Sequence, residues 1–111
     1  MDIREEQHGA VTVLAPRGPL IQEDAAICAA RVTDRAAALL GRIVLDAANV
    51  AYVDSKGIEA ILDIADALER AGHTLRAVNL NATVREALDI TGHGNVCEHF
   101  ADLTTAVRSF A

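Results

Sequence analysis

Aromatic residues and cysteines are scarce in this sequence. Aromatics make up 3% of the 111 residues, and tryptophan is absent. A buried core must therefore be built from Ala, Val, Leu and Ile, which suits helices packed on a sheet. Only Cys28 and Cys97 are present, too few and too far apart for a disulfide framework, so both are predicted to be reduced thiols.

The sequence also lacks an excess of basic charge and any long apolar run. Sixteen acidic residues against ten basic ones give a net charge of −6, which disfavours a nucleic-acid partner. No stretch approaches the roughly 18 apolar residues of a membrane span, and the segment from Met1 to Gln7 is charged rather than signal-like. We therefore expect a cytoplasmic protein without direct membrane insertion.

The length predicts one domain spanning residues 1–111, with no linker that would separate two. A domain of this size buries one core and leaves little interior for a large cleft, which disfavours an enzyme. The pattern begins with a hairpin and continues with alternating helices and strands. The predicted strands and helices are Asp2 to Glu6, Ala10 to Ala15, Glu23 to Leu40, Arg42 to Leu45, Thr74 to Leu80, Ala82 to Thr91 and Leu103 to Phe110.

A further helix follows Ser55, and its position defines the segment that is most informative about function. Its apolar stripe consists of Ile58, Ile61, Leu62, Ala65 and Leu68. The strand before it lies within RIVLDA, a continuous apolar run typical of a parallel strand covered on both faces. These patterns predict an α/β fold in one domain: a mixed, mostly parallel sheet of four to five strands with an N-terminal hairpin and about four helices.

Ser55 is predicted at the start of that helix, where unpaired backbone N–H groups and the positive end of the helix dipole coincide. A phosphate on its hydroxyl would be well accommodated there. The same position is also where helices favour a capping Ser or Asp, so the spacing alone favours a structural N-cap at Asp54-Ser55.

The chain resembles the STAS domain family, which includes bacterial anti-sigma factor antagonists and the cytosolic tails of sulfate transporters. The most specific part of the resemblance is Val53-Asp54-Ser55-Lys56-Gly57-Ile58 after a buried strand. Three supporting segments extend it over nearly the whole chain: Gly18-Pro19-Leu20, Gly72-His73-Thr74-Leu75-Arg76 and Val84-Arg85-Glu86-Ala87-Leu88.

The resemblance implies that an anti-sigma factor, itself a serine kinase, phosphorylates Ser55. The unphosphorylated antagonist would bind this anti-sigma factor, and the phosphorylated form would be released. A serine phosphatase is an optional further partner. The kinase would supply ATP and magnesium, so the chain is expected to be no enzyme and to need no cofactor.

Two departures from the antagonist pattern leave an alternative open. Lys56 stands where a second Ser or Thr is common, and Ile21 where an acidic residue is frequent. The alternative is an unswitched STAS subunit of a transport complex or a signalling scaffold, in which Ser55 would be only an N-cap. The identity of the partner and the oligomeric state stay open.

The partner surface is predicted on the first two turns of the helix after Ser55 and on the loops beside it. Its expected residues are Leu20, Ile21, Gln22, Asp54, Ser55, Lys56, Gly57, Glu59, Ala60 and Asp63. On a 3.6-residue period, Ala60 is expected to face outward together with Glu59 and Asp63.

Two other arrangements of reactive residues are expected to carry no chemistry. His93, Cys97 and His99 lie within seven residues, but their spacing is not that of a structural zinc site, and a connecting loop is predicted there. Asp54 and Ser55 are adjacent, and no histidine is placed beside them by sequence, so a catalytic triad is not expected.

Overall fold

The computed structural model describes residues 1–111 and contains five strands and four helices. The strands are β1 (Asp2–His8), β2 (Val11–Arg17), β3 (Ile43–Asp46), β4 (Leu75–Val78) and β5 (Cys97–Phe100). The helices are α1 (Gln22–Ala38), α2 (Ser55–Arg70), α3 (Ala82–Ile90) and α4 (Leu103–Arg108).

The strands form one mixed sheet in the order β1-β2-β3-β4-β5. β1 and β2 form an antiparallel hairpin whose turn includes Gly9 at φ +63°, a backbone conformation that glycine adopts without strain. The other neighbours are parallel, with Val13 opposite Val44 and Leu45 opposite Ala77. The predicted α/β class, N-terminal hairpin, mostly parallel sheet and four helices are thereby confirmed.

Successive side chains of the central strands enter two separate apolar clusters. Leu45 and Ala77 belong to the larger cluster, which also contains buried residues of α1, α2 and α3. Val44 and Val78 belong to the smaller one, together with Ala106 of α4. Because strand side chains alternate between faces, three helices pack on one face of the sheet and α4 on the other. This two-sided cover explains why β3 reads as a continuous apolar run.

The structure corrects the prediction for the segment from His93 to His99. Its second half is not a loop, because Cys97–Phe100 forms the edge strand β5, with Leu75 opposite Cys97 and Val78 opposite Phe100. The run Cys-Glu-His-Phe has neither a β-branched residue nor a clean alternation of burial, so its pairing with β4 decides its conformation.

None of the helices combines the length and the apolar character that crossing a membrane requires.

Candidate functional site

Two connecting segments are joined side by side at the carboxyl edge of the sheet. Gly18 donates its backbone N–H to the Asn49 carbonyl at 3.1 Å, and Leu20 donates to the Tyr52 carbonyl at 3.2 Å. Asp54 in turn donates its N–H to the Leu20 carbonyl at 3.3 Å. The segment after β2 and the segment before α2 therefore form one continuous surface, as expected for the carboxyl ends of parallel strands.

Asp54 caps α2 and at the same time holds the start of α1. Its Oδ1 accepts the backbone N–H of Gly57 at 2.9 Å, and its Oδ2 accepts that of Gln22 at 3.0 Å. Desolvation raises the pKa of this carboxyl, but the hydrogen bonds from Gly57 and Gln22 outweigh it and leave the pKa below its ordinary value. Asp54 is therefore a charged N-cap that connects two helices.

Ser55 is the first residue of α2 and not its cap. Its side chain is exposed, and its hydroxyl has no hydrogen-bond partner in the protein. The interpretation of Ser55 as an N-cap is therefore wrong, because Asp54 performs that function. The consequence is an unengaged hydroxyl at the positive end of a 16-residue helix.

Gly57 allows the two segments to approach each other closely. A Cβ atom at this position would lie 2.1 Å from the Leu20 carbonyl oxygen and 2.8 Å from the Val53 Cβ. No larger residue fits without moving backbone. The glycine in the Asp-Ser-x-Gly string thus has a steric reason. Gly57 was predicted to belong to the partner surface, but it is buried.

The outward face of α2 differs in one position from the prediction. Lys56, Glu59 and Asp63 are exposed, and the Lys56 Nζ lies 3.6 Å from the Glu59 Oε2. Ala60 was predicted to face outward but is only 3% exposed. Ile64, which the predicted apolar stripe did not include, is fully buried. The predicted stripe was rotated, because α1 packs closely against α2 and covers the flank that carries Ala60.

The segment from Leu20 to Gln22 lies beside Ser55, as predicted, but its side chains have different roles. Leu20 is 1% exposed and belongs to the core, so the expectation that its side chain contacts a partner is wrong. Ile21 is half-buried and precedes α1 in an extended conformation. Gln22 is exposed and has φ +47°, in the left-handed region that non-glycine residues seldom adopt. Its hydrogen bond to Asp54 helps to hold this conformation.

Tyr52 is an exposed residue of this surface that sequence reasoning missed. Its relative exposure is 48%, in a chain with one tyrosine, two phenylalanines and no tryptophan. The scarcity of aromatics was itself the available signal, since an isolated tyrosine three residues before the serine stands out in this composition.

The His93 to His99 segment does not form a compact group of ligands. The Cys97 Sγ lies 3.8 Å from the His99 Nε2, and burial raises the pKa of Cys97 to about 11. The structure contains no cluster of three His, Cys, Asp or Glu side chains with the geometry of a metal site.

Solved structures with this fold include regulatory proteins and part of a transporter. A candidate anti-sigma factor antagonist from Thermotoga maritima has a TM-score of 0.85 and 20% identity, covering 96% of this chain and 92% of that protein. The unphosphorylated anti-sigma factor antagonist SpoIIAA has a TM-score of 0.72 and 14% identity, with coverage of 98% and 96%. The phosphorylated Bacillus SpoIIAA gives 0.71 and 18%, with coverage of 99% and 100%.

A murine solute carrier anion transporter in the inward-facing state has a TM-score of 0.72 and 21% identity. The match covers 95% of this chain but only 18% of the transporter. A search of curated protein sequences gave no significant match. The model of the family described as the STAS domain matches residues 2–106, and the chain therefore belongs to the STAS domain family.

Proposed function

We propose that the chain is an anti-sigma factor antagonist-like regulatory protein controlled by phosphorylation of Ser55. Its unphosphorylated form binds an anti-sigma factor that is also a serine kinase. Phosphorylation then releases the chain, and a serine phosphatase can restore the binding form. In this role the chain is a cytoplasmic binding protein of bacterial transcription control and contributes no catalytic group of its own.

The observation that carries this proposal is that Asp54, and not Ser55, caps α2. Asp54 accepts the hydrogen bonds that cap α2, so the Ser55 hydroxyl is exposed and unengaged. Modification of Ser55 therefore leaves the cap intact. A phosphate there would gain from the helix dipole, which favours negative charge at the N-terminus.

The same phosphate would be unfavourable to a bound kinase. It adds about −1.5 to −2 charges at neutral pH to a site that already holds the Asp54 carboxylate. A kinase that reaches Ser55 holds a nucleotide whose phosphates face the serine. After transfer, the new phosphate opposes the remaining diphosphate, so like charges weaken the complex.

Comparison with SpoIIAA supports the view that this fold accepts the modification. The chain matches the unphosphorylated and phosphorylated forms of SpoIIAA with nearly equal TM-scores, 0.72 and 0.71. The overall fold is thus found in a phosphorylated relative as well as in an unphosphorylated one, which supports a switch that acts through charge at the contact surface.

The proposal is tested by phosphorylation and binding assays with purified proteins. Each anti-sigma-factor-type serine kinase encoded in the same genome is incubated with the chain and ATP, followed by intact-mass and peptide mass spectrometry. We expect one phosphoryl group on Ser55 and none on Ser55→Ala. In binding titrations, Ser55→Ala should bind and Ser55→Asp should bind poorly. A phosphate on Thr91 or Ser109 with Ser55 unmodified would overturn the proposal.

A second candidate function is an unswitched subunit of a transport complex or signalling scaffold. Lys56 favours it, because this exposed cation is the residue next to Ser55. Lys56 could pair with a phosphate on Ser55 and reduce its repulsive effect. In this case no kinase of the genome modifies Ser55, and Ser55→Asp binds the partner as well as the unmodified chain does. Transport permease genes beside this gene would favour the second function.

A further inference from the structure

Tyr52 presents a large apolar side chain at the same edge of the sheet as Ser55. It is 48% exposed, whereas Phe100 and Phe110 are partly buried against the cluster that includes α4. Exposed tyrosine is common at the centres of protein interfaces, because the ring brings much contact area with few rotatable bonds. Tyr52 is therefore the aromatic ring that this chain offers to a partner at this edge.

The backbone that carries Tyr52 is held from two sides. The Tyr52 carbonyl accepts the Leu20 N–H at 3.2 Å. On the other side, the Asn81 side-chain amide donates to the carbonyls of Ala51 at 2.9 Å and Val50 at 3.3 Å. Because this backbone is already held in place, binding at Tyr52 orders little additional main chain, so more of the contact energy appears as affinity.

The position of Tyr52 in the chain also limits its distance from Ser55. Ser55 is three positions after Tyr52, so their Cα atoms are at most about 11 Å apart even in extended conformation. A kinase that brings its nucleotide to the Ser55 hydroxyl therefore has Tyr52 within the reach of its contact surface. A standard protein interface of about 800 Å² per partner, centred near Ser55, is wide enough to include Tyr52.

We propose that Tyr52 is the aromatic anchor of the contact with the kinase, an inference that rests on the proposed function. The kinase would present an apolar pocket for the phenol ring beside its nucleotide site. Basic groups around the nucleotide would face the carboxylates of the exposed α2 surface, where Asp63 has no ion-pair partner and Glu59 is paired only with Lys56. The anchor supplies affinity, and the state of Ser55 decides whether the complex persists.

Two exposed apolar residues near the amino ends of the parallel strands provide matched controls. Leu40 is 61% exposed and precedes β3, and Ile90 is 77% exposed and precedes β5. Both lie near the amino ends of parallel strands, whereas Ser55 and Tyr52 lie near the carboxyl ends. Truncating either one removes exposed apolar area without touching the proposed contact.

The test is isothermal titration of unphosphorylated variants with each purified anti-sigma-factor-type serine kinase of the same genome, in the presence of ADP. We expect Tyr52→Ala to raise Kd about tenfold or more. Tyr52→Phe should stay within about threefold of the unmodified chain, because the ring supplies most of the contact area. Leu40→Ala and Ile90→Ala should leave Kd unchanged, and circular dichroism melts should show that every variant is folded.

The outcomes separate the anchor from the function on which it rests. If the unmodified chain binds a kinase and Tyr52→Ala binds equally well, the anchor is overturned while the proposed function stands. If Leu40→Ala weakens binding as much as Tyr52→Ala, the contact is not centred on Tyr52. If the unmodified chain binds none of the kinases, both the proposed function and the anchor are overturned.

Discussion

Gln22 donates its backbone N–H to the Asp54 carboxylate at 3.0 Å, so one side chain connects the first residue of α1 to the N-terminus of α2. The other carboxylate oxygen caps α2 through Gly57. Ser55, next to Asp54, therefore lies on a surface whose two segments are fixed to each other. A change of charge at Ser55 can act directly on a docked protein, with no motion relayed through the domain.

The capping arrangement predicts an order of stabilities among substitutions at two adjacent positions. Asp54→Ala loses both hydrogen bonds and should lower the free energy of unfolding most. Asp54→Asn keeps an oxygen for Gly57 but turns an amide towards Gln22, so its effect should be intermediate. Ser55→Ala should change the free energy by no more than about 0.5 kcal/mol, since its hydroxyl has no partner. Urea unfolding measures all three, and a larger effect for Ser55→Ala than for Asp54→Ala would contradict the assignment of the cap.

Gly57→Ala should be destabilising although alanine is the better helix former. The new Cβ would lie 2.1 Å from the Leu20 carbonyl oxygen, so the two connecting segments would have to separate. We expect a loss of about 1–3 kcal/mol, as for other overpacked sites. Lys56→Ala is the matched control, because it replaces the exposed neighbour and should be nearly neutral. Equal stabilities of Gly57→Ala and Lys56→Ala in urea unfolding would mean that the close approach is relaxed in solution.

Much of the fold follows from periodicity in the sequence. The apolar run in β3, the helix from Ser55 to Arg70 and the hairpin were each indicated by patterns that burial on one or two faces imposes. The edge strand β5 was not, because its four residues take their conformation from β4. A short edge strand of weak propensity is determined by its partner, which a single sequence does not identify.

The candidate site could be located from the sequence, but its internal contacts could not. The Asp-Ser-x-Gly string indicates a helix start, and both Asp54 and Ser55 are good capping residues, so local propensity leaves the choice between them open. The hydrogen bond from Gln22, 32 positions away, favours Asp54. Burial of Ala60 is likewise a consequence of packing between α1 and α2, which helical periodicity alone does not specify.

The stability of the chain should depend on pH through Asp54. Its pKa in the folded chain lies below the ordinary value of 3.8, because the hydrogen bonds from Gly57 and Gln22 outweigh desolvation. Its contribution is therefore fully present above that value and is lost as pH falls through the lower folded pKa. As pH falls below about 4, we expect the free energy of unfolding to fall more steeply for the unmodified chain than for Asp54→Asn. Parallel slopes in urea unfolding at each pH would exclude Asp54 as the source.

The exposed face of α2 gives the most direct test of where the partner binds, and the burial of Ala60 changes its design. Glu59 and Asp63 are exposed, so Glu59→Lys and Asp63→Lys should weaken binding to the kinase while changing stability by no more than about 0.5 kcal/mol. Glu86→Lys, an exposed charge reversal on α3, is the matched control and should bind normally. Ala60→Arg is no interface probe, because the new side chain would have to displace α1, and it should lower stability.

Titration of the unphosphorylated variants, with thermal melts of each, checks these expectations. If Glu59→Lys and Asp63→Lys bind as tightly as Glu86→Lys, the contact lies on another face. A phosphate on Ser55 would then not oppose the partner at the contact itself, and release would require a conformational change that the fixed connection between Gln22 and Asp54 does not provide.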